Sequence, residues 1–239
     1  GDSYESARSW PLYITVEKIL SEHEPLPLNW PVAGTTGYDF LNGVNNLFVP
    51  RENEDAITRM YEEFSKNWVA YPTLVQQSKR LIMNSALTSE INALGHQLER
   101  ITERNRRYRD YTLNTIIYAL RETITYFQVY RTYSTPEALV AERDAQCILA
   151  AISEAKRQNH RIAGGIFDFI ADILLLRNLD QFQPDDRRAI LDFVMKFQQV
   201  TGPIMAKSLE DTAFYVYNRL VSLNEVGGNP AQFGASVAA

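Results

Sequence analysis

Glu17 is the side chain in this sequence best set to move a proton. It closes a short run, Tyr13, Ile14, Thr15 and Val16, whose β-branched and aromatic residues favour an extended strand. A Pro-rich loop carrying Trp30 follows, and then the turn Gly34-Thr35-Thr36-Gly37-Tyr38. Glycines permit turns that other residues resist, and Thr and Tyr hydroxyls both donate and accept, so this backbone suits the wall of a polar pocket. The plainer readings stand beside it. A lone acid at a strand end commonly just faces water, Thr35, Thr36 and Tyr38 fit a purely structural turn, and Trp30 beside Pro31 serves equally as a stacking platform or as loop packing. A second polar cluster, Lys207, Glu210, Asp211 and Tyr215, lies in the stretch AKSLEDTAFY. It reads either as a ligand-contacting group or as a helix start whose acids face the positive end of the backbone dipole.

Composition narrows the classes. The 239 residues are 45% apolar, enough to fill a core for one large domain or two small ones. Net charge is −5 with both signs spread along the chain, which argues against nucleic acid or an anionic membrane surface as the main partner. The densest basic run, Arg104 to Arg109, follows a helical stretch and reads as a solvated helix end. Cys147 stands alone in CILAAI, so no internal disulfide is available and a buried structural thiol is expected. His23, His96 and His160 lack ligand-spaced partners, so no metal site is expected. No stretch resembles a signal peptide or reaches the roughly 20 apolar residues that span a bilayer, and a cytoplasmic, soluble protein is expected.

The elements that would hold these groups are mostly helical. From about Asp55 the apolar period changes from 2 to 3.6, with Ile57, Met60, Tyr61, Phe64 and Trp68 on one face. Leu87, Ile91, Leu94, Leu98 and Ile101 alternate spacings of 4 and 3, predicting a narrow apolar stripe on one helix from about Tyr71 to Tyr108, with Pro72 in its first turn. Ile116, Ile117, Leu120, Ile124 and Phe127 carry a third helix. Ser134 and Glu137 have the spacing of a capping box, predicting a fourth from there to about Asn159. Gly164-Gly165 interrupts the pattern before Phe167 to Arg177 resumes it. Pro184-Asp185-Asp186 opens another helix, which Gly202-Pro203 is expected to stop. Pro203 to Ala206 then reads as a brief strand, and residues 227–239 as loop. The layout is strand, long helical block, strand.

The wording of two segments goes further than spacing. VEKIL followed by WPVAGTTGYDFLN, and FQQVTGPIMAKSLEDTAFYVYNRLVSLNEVGGNP at 197–230, resemble the maltooligosyltrehalose synthases of the α-amylase superfamily. Patches between them, VYRTY at 129–133 and FDFIADILLLR at 167–177, match more loosely. The resemblance implies a mainly α chain, a helical insertion domain at 53–200 flanked by remnants of a (β/α)8 barrel at 1–52 and 201–239. Such barrels carry their active-site residues at the C-terminal ends of strands. It also implies an intramolecular transglycosylation that turns the reducing-end α-1,4 bond of a maltooligosaccharide into an α,α-1,1 bond, without a cofactor.

Chemistry of that kind uses two carboxylates about 5 Å apart, one attacking the anomeric carbon and the other serving as acid and then base. The resemblance assigns the second role to Glu17 and sets Lys207, Glu210, Asp211, Tyr215, Thr35, Thr36, Tyr38 and Trp30 along the sugar. The family's nucleophilic Asp lies upstream of VEKIL beside an Arg, and a further Asp follows a His; neither motif occurs here. The chain therefore reads as an internal piece of an enzyme that packs against the remainder of its own barrel and is inactive by itself. Two other readings remain: a non-catalytic helical module that docks on a partner protein, and part of an amylase-type hydrolase. An exposed apolar patch near 10–50 and 200–230 would favour a severed barrel, and one along the 87–101 stripe a partner helix.

Overall fold

A computed structural model describes residues 11–21, 24–66, 68–104, 108–136, 140–160 and 162–235. The chain forms two compact units, Val69–Tyr217 and a discontinuous one made of Gly1–Trp68 and Asn218–Ala239. His23, Glu137 and the centre of the basic run, residues 105–107, fall outside the described residues. The protein is mainly helical, and the described strands are two residues long each.

The larger unit is built from α3 (Tyr71–Asn84), α4 (Thr88–Glu103), α5 (Leu113–Thr125), α6 (Glu142–Gln158), α7 (Gly165–Leu174) and α8 (Pro184–Ser208). The predicted stripe belongs to α4: Ile91, Leu94 and Leu98 are fully buried, and α4 packs against both α5 and α8. A Cβ on Gly95 would come within 2.4 Å of the Ile117 side chain, so that glycine lets α4 and α5 approach closely. Phe167, Phe169, Phe193 and Phe197 complete the interior. Cys147 is half-buried against this core rather than enclosed by it.

Three expectations need correction. The helix read from Tyr71 to Tyr108 is two helices, because Ser85 and Thr88 turn their hydroxyls onto the Leu81 and Ser85 carbonyls and so stop one helix before the next begins. The fourth helix starts at Glu142, not at Ser134. Pro136 favours extended backbone before it, and the buried Gln198 amide answers both the N–H and the C=O of Ser134, at 2.7 and 3.1 Å. The Asp144 carboxylate likewise accepts from the Tyr133 N–H at 2.7 Å. Finally, Gly202-Pro203 does not end α8, and residues 203–206 are helical rather than a strand. The proline's exposed ring removes one backbone bond at a local cost of about 3 kcal/mol. Phe197, Val200, Thr201, Ile204 and Met205 keep one face of α8 buried across that point, and this packing outweighs the loss.

One polar cluster ties α3, α5 and the end of α6 together. Glu122 of α5 accepts two bonds from Arg80 of α3, at 2.9 and 2.8 Å, and one from Asn159 at 3.0 Å. Burial alone would raise the Glu122 carboxyl, but these bonds and the guanidinium charge outweigh it and hold it below the usual carboxylate range.

The smaller unit contains β1 (Thr15–Val16) and β2 (Gly34–Thr35), paired in parallel, followed by α1 (Tyr38–Leu47) and α2 (Glu54–Ser65). Val49, Leu223 and Phe233 form a small core. Arg219 joins the two chain segments, reaching Glu54 and Thr58 at 3.2 Å and the Pro230 carbonyl at 2.7 Å. Much apolar surface stays open here: Tyr13 is 86% exposed, Phe48 81% and Phe64 87%.

Lys79 of α3 is buried, its ammonium nitrogen 2.5 Å from the Phe127 carbonyl, and desolvation pushes its pKa down to about 7 from 10.5. Between these values the unfolded chain holds more protons than the folded one, so this site makes stability rise with pH, by up to about 1.4 kcal/mol per unit. Below pH 7 both states are charged and the full burial cost stands. Lys79→Met should therefore exceed wild type in urea stability at pH 6, with the margin shrinking towards pH 10. A margin that does not change with pH contradicts this.

Candidate functional site

The β1–β2 pair fixes where Glu17 emerges. Thr15 is opposite Gly34 and Val16 opposite Thr35, with the Ala33 and Thr36 amides donating to Ile14 and Val16 carbonyls at 2.7 and 3.0 Å. Glu17 is the next residue after the C-terminal end of β1 and is exposed. Alternation along the chain then buries Lys18, whose ammonium meets the Glu24 carboxylate at 2.6 Å with both side chains almost wholly covered. Glu24 also accepts from the Ser21 amide at 2.9 Å. This closed loop leaves the carboxylate of Glu17 outward.

Gly37, at φ 99°, turns the chain from β2 into α1, a backbone angle that side chains resist. The turn brings Tyr38 back over the strand end, where its hydroxyl donates to Glu17 Oε1 at 2.9 Å. Thr35 Oγ1 accepts from the Gly37 amide and donates to Asp39 Oδ1, at 3.2 and 2.9 Å. Asn42, one turn along α1, bonds the Tyr38 and Val226 carbonyls at 2.7 and 3.2 Å. Glu17 with Tyr38 and Thr35 with Asp39 therefore form two neighbouring bonded pairs at the start of α1, and Asn42 braces the turn beside them. Thr36 is exposed beside it, and Trp30 is half-buried in a turn whose amide bonds the Pro27 carbonyl. Asn42 is the i+4 neighbour of Tyr38, a spacing that becomes legible once α1 is recognised. The Lys18–Glu24 pair has no such periodic signal.

The other predicted cluster lies in the larger unit, where α8 passes into a single π turn, Leu209–Ala213, and a short helix, α9 (Phe214–Val216). Lys207 and Asp211 are both exposed, with Nζ and carboxylate 3.7 Å apart, so a donor and an acceptor sit side by side. Glu210 turns inward instead, accepting from the Tyr130 hydroxyl. Tyr215 is largely exposed. Beneath the turn the Tyr71 ring lies 6.5 Å from Phe214 and 5.3 Å from Tyr217. Burial, then the neighbouring Tyr217 and Glu210, push the Tyr71 phenol well above its usual range. Tyr130 and Tyr71 were absent from the sequence-based site, being 80 and 139 residues from Glu210.

Among the described residues no three His, Cys, Asp or Glu side chains are arranged to hold a metal ion, and His96 pairs with Glu99 at 3.3 Å on the surface. No helix among them is long and apolar enough to cross a membrane. A hollow of about 190 Å³ between α4 and α8 contains none of the predicted site residues, and its Arg104 and Asp186 answer each other at 2.6 Å.

No protein-family model matches the chain. A Mycobacterium tuberculosis protein whose description names a maltooligosyl trehalose synthase is 28% identical over 226 residues, covering 95% of this chain and 26% of its own length. The structure of maltooligosyltrehalose synthase from Arthrobacter ramosus superposes with a TM-score of 0.74 at 30% identity, over 95% of this chain and 26% of that one. A Sulfolobus tokodaii structure described as a maltooligosyl trehalose synthase gives 0.65 at 28%, over 94% and 25%. The chain resembles these synthases along nearly its whole length and spans about a quarter of theirs.

The Lys18–Glu24 pair gives a direct test of how the Glu17 segment is held. Lys18→Met leaves a carboxylate buried without its ammonium and should cost the smaller unit about 3–5 kcal/mol. The double variant Lys18→Met/Glu24→Leu should recover most of that. The larger unit, Val69–Tyr217, contains no tryptophan, so urea unfolding followed by tryptophan fluorescence reads the smaller unit selectively. Equal losses in the single and double variants would contradict the account.

Proposed function

We propose that this chain supplies the acid/base carboxylate and part of the sugar-binding wall of a maltooligosaccharide glucosylmutase. The reaction moves the reducing-end glucose from an α-1,4 to an α,α-1,1 linkage. The observation that carries the proposal is the match of about 95% of the chain, in sequence and in fold, to proteins whose names all state this synthase. The local geometry agrees with it. Glu17 stands immediately beyond the C-terminal end of a strand in a parallel pair, the position from which barrel enzymes present catalytic side chains. On this reading β1 and β2 are part of a (β/α)8 barrel, and residues 53–200 are its helical insertion between barrel segments at 1–52 and 201–239.

Glu17 protonates the glycosidic oxygen of the departing glucose as the nucleophilic carboxylate bonds the anomeric carbon that glucose leaves, and Tyr38, donating to Glu17, fixes its orientation. The glucose stays in the pocket, turns over, and offers its anomeric hydroxyl to the carbon it left, with Glu17 now taking the proton. Lys207 and Asp211 hold sugar hydroxyls as paired donor and acceptor beside the exposed Tyr215, with Glu210 turned inward behind them, and Thr35, Thr36 and Trp30 are the sugar-contacting residues of the smaller unit. The nucleophilic carboxylate is supplied by sequence outside these 239 residues, so the chain alone is expected to show no turnover. A cytoplasmic location belongs to the same reading.

The apolar surface weighs against a helical docking module. The stripe Ile91, Leu94, Leu98 and Ile101, which such a module would offer to a partner, is already spent on the chain's own core. Exposed apolar side chains include Leu12, Tyr13, Phe40, Phe48, Tyr215 and Val221 in the two flanking segments, where further barrel segments are expected to pack.

The test follows loss of reducing ends from maltopentaose in the chain extended on both sides to the length of its relatives. Wild type should remove reducing ends while releasing little glucose, and Glu17→Gln should be slower by about 10²–10⁴-fold. Generation of new reducing ends would make the enzyme a hydrolase, and absence of any action would remove the mutase reading.

A further inference from the structure

A π turn inserts one residue into a helix and rotates everything beyond it by about 100°, a costly device that recurs at functional sites. Here it falls at Leu209–Ala213, directly under the exposed Lys207–Asp211 pair, and three contacts hold it. Thr212 Oγ1 donates to the Lys207 carbonyl at 2.8 Å, a side-chain bond from within the turn back to the last turn of α8. The Tyr71 ring packs below, against Phe214 and Tyr217. The Glu210 carboxylate accepts from the Tyr130 hydroxyl, a charge-assisted bond spanning 80 residues of sequence.

Tyr130 is itself presented by a rigid frame. Val129 and Thr132 beside it are buried, the Tyr133 amide is bound by Asp144, and both backbone groups of Ser134 are bound by Gln198 of α8. The segment that carries this hydroxyl is thus tied at Ser134 to the same helix that ends in the π turn, so the positions of Tyr130 and Glu210 are set relative to one another. We infer that Tyr130 is a positioning residue: by engaging Glu210 it locks the π turn, and the locked turn holds Lys207 and Asp211 side by side in the geometry that receives a sugar diol. The inference deepens the proposed function and rests on its reading that the 207–215 segment faces substrate. It gives Glu210 a different task from the one its sequence neighbours have, turned away from the ligand and holding the others in register.

Two measurements separate this inference from the function beneath it. The first uses the 239-residue chain and compares amide hydrogen exchange in wild type, Tyr130→Phe and Glu210→Ala, which break the same bond from either end. Tyr118→Phe, which removes a hydroxyl bond to Asn159 elsewhere in the unit, is the control. Exchange across 207–213 should quicken by about tenfold in both test variants while the amides of α4 stay unchanged, and the control should leave 207–213 as in wild type. Unchanged exchange there, or quickening equal throughout the unit, overturns the inference. If Tyr130→Phe does not fold, Glu210→Ala decides alone. The second uses the extended chain with maltopentaose: Tyr130→Phe should raise KM about tenfold with a smaller change in kcat, and adding Glu210→Ala should bring little further loss. An unaltered KM in an active enzyme overturns the link from turn to ligand. An extended wild-type chain that never isomerises maltopentaose refutes the proposed function, while the exchange result still stands or falls by itself.

Discussion

Continuous burial along α8 is the constraint from which the rest of the larger unit follows. One face of this helix fills the space between α3, α4 and α7, and it does so on both sides of Pro203. A helix obliged to stop there would leave Ile204 and Met205 without the surroundings that cover them. On the same buried face Gln198 points its amide at the extended segment after α5, and that segment loses the freedom to begin a helix at Ser134. The same continuation carries Lys207 to the helix end and delivers the chain into the π turn. A packing requirement thus decides both where backbone stays extended and where polar side chains surface.

This ordering explains which parts of the protein were legible from residues alone. The stripe from Ile91 to Ile101 was plain because apolar periodicity and burial are the same fact seen twice. The break at Ser85 was hidden by that stripe, although Ser and Thr at 85 and 88 carried a local signal for it. Gly202-Pro203 misled because local propensity weighs about 3 kcal/mol and the buried face on either side outweighs it. In the candidate site, Glu17, Thr35 and Tyr38 sit within 21 residues of one another, and strand and turn preferences were enough to gather them. Tyr130 and Glu210 meet only through the tertiary fold, and no spacing rule spans 80 residues.

The two candidate clusters handle charge in opposite ways. Around Glu17 an inward ion pair, Lys18 with Glu24, is sealed so that the neighbouring carboxylate can stay in the open. Around Lys207 the inward group is Glu210, which accepts from the Tyr130 phenol, and the ion pair itself is exposed. A covered Lys–Glu pair contributes little net stability but fixes geometry, whereas an exposed pair 3.7 Å apart is weak enough to exchange its partners for ligand hydroxyls.

The discontinuity of the smaller unit bears on the order in which the chain acquires structure. Its two segments are separated by the whole of Val69–Tyr217, and bringing them together in an unfolded chain means closing a loop of that length. The helical unit removes most of that cost once formed, because Tyr71 near its entry and Tyr217 at its exit have ring centroids 5.3 Å apart. Its folded ends are neighbours, so the long loop is replaced by a short, nearly rigid clasp. Arg219, two residues past that exit, can then find Glu54 and Thr58 without a search through the full ensemble. Closure of the smaller unit therefore costs least once the helical unit has formed, and the number of residues between the clasp points can vary at low entropic expense as long as the clasp is kept.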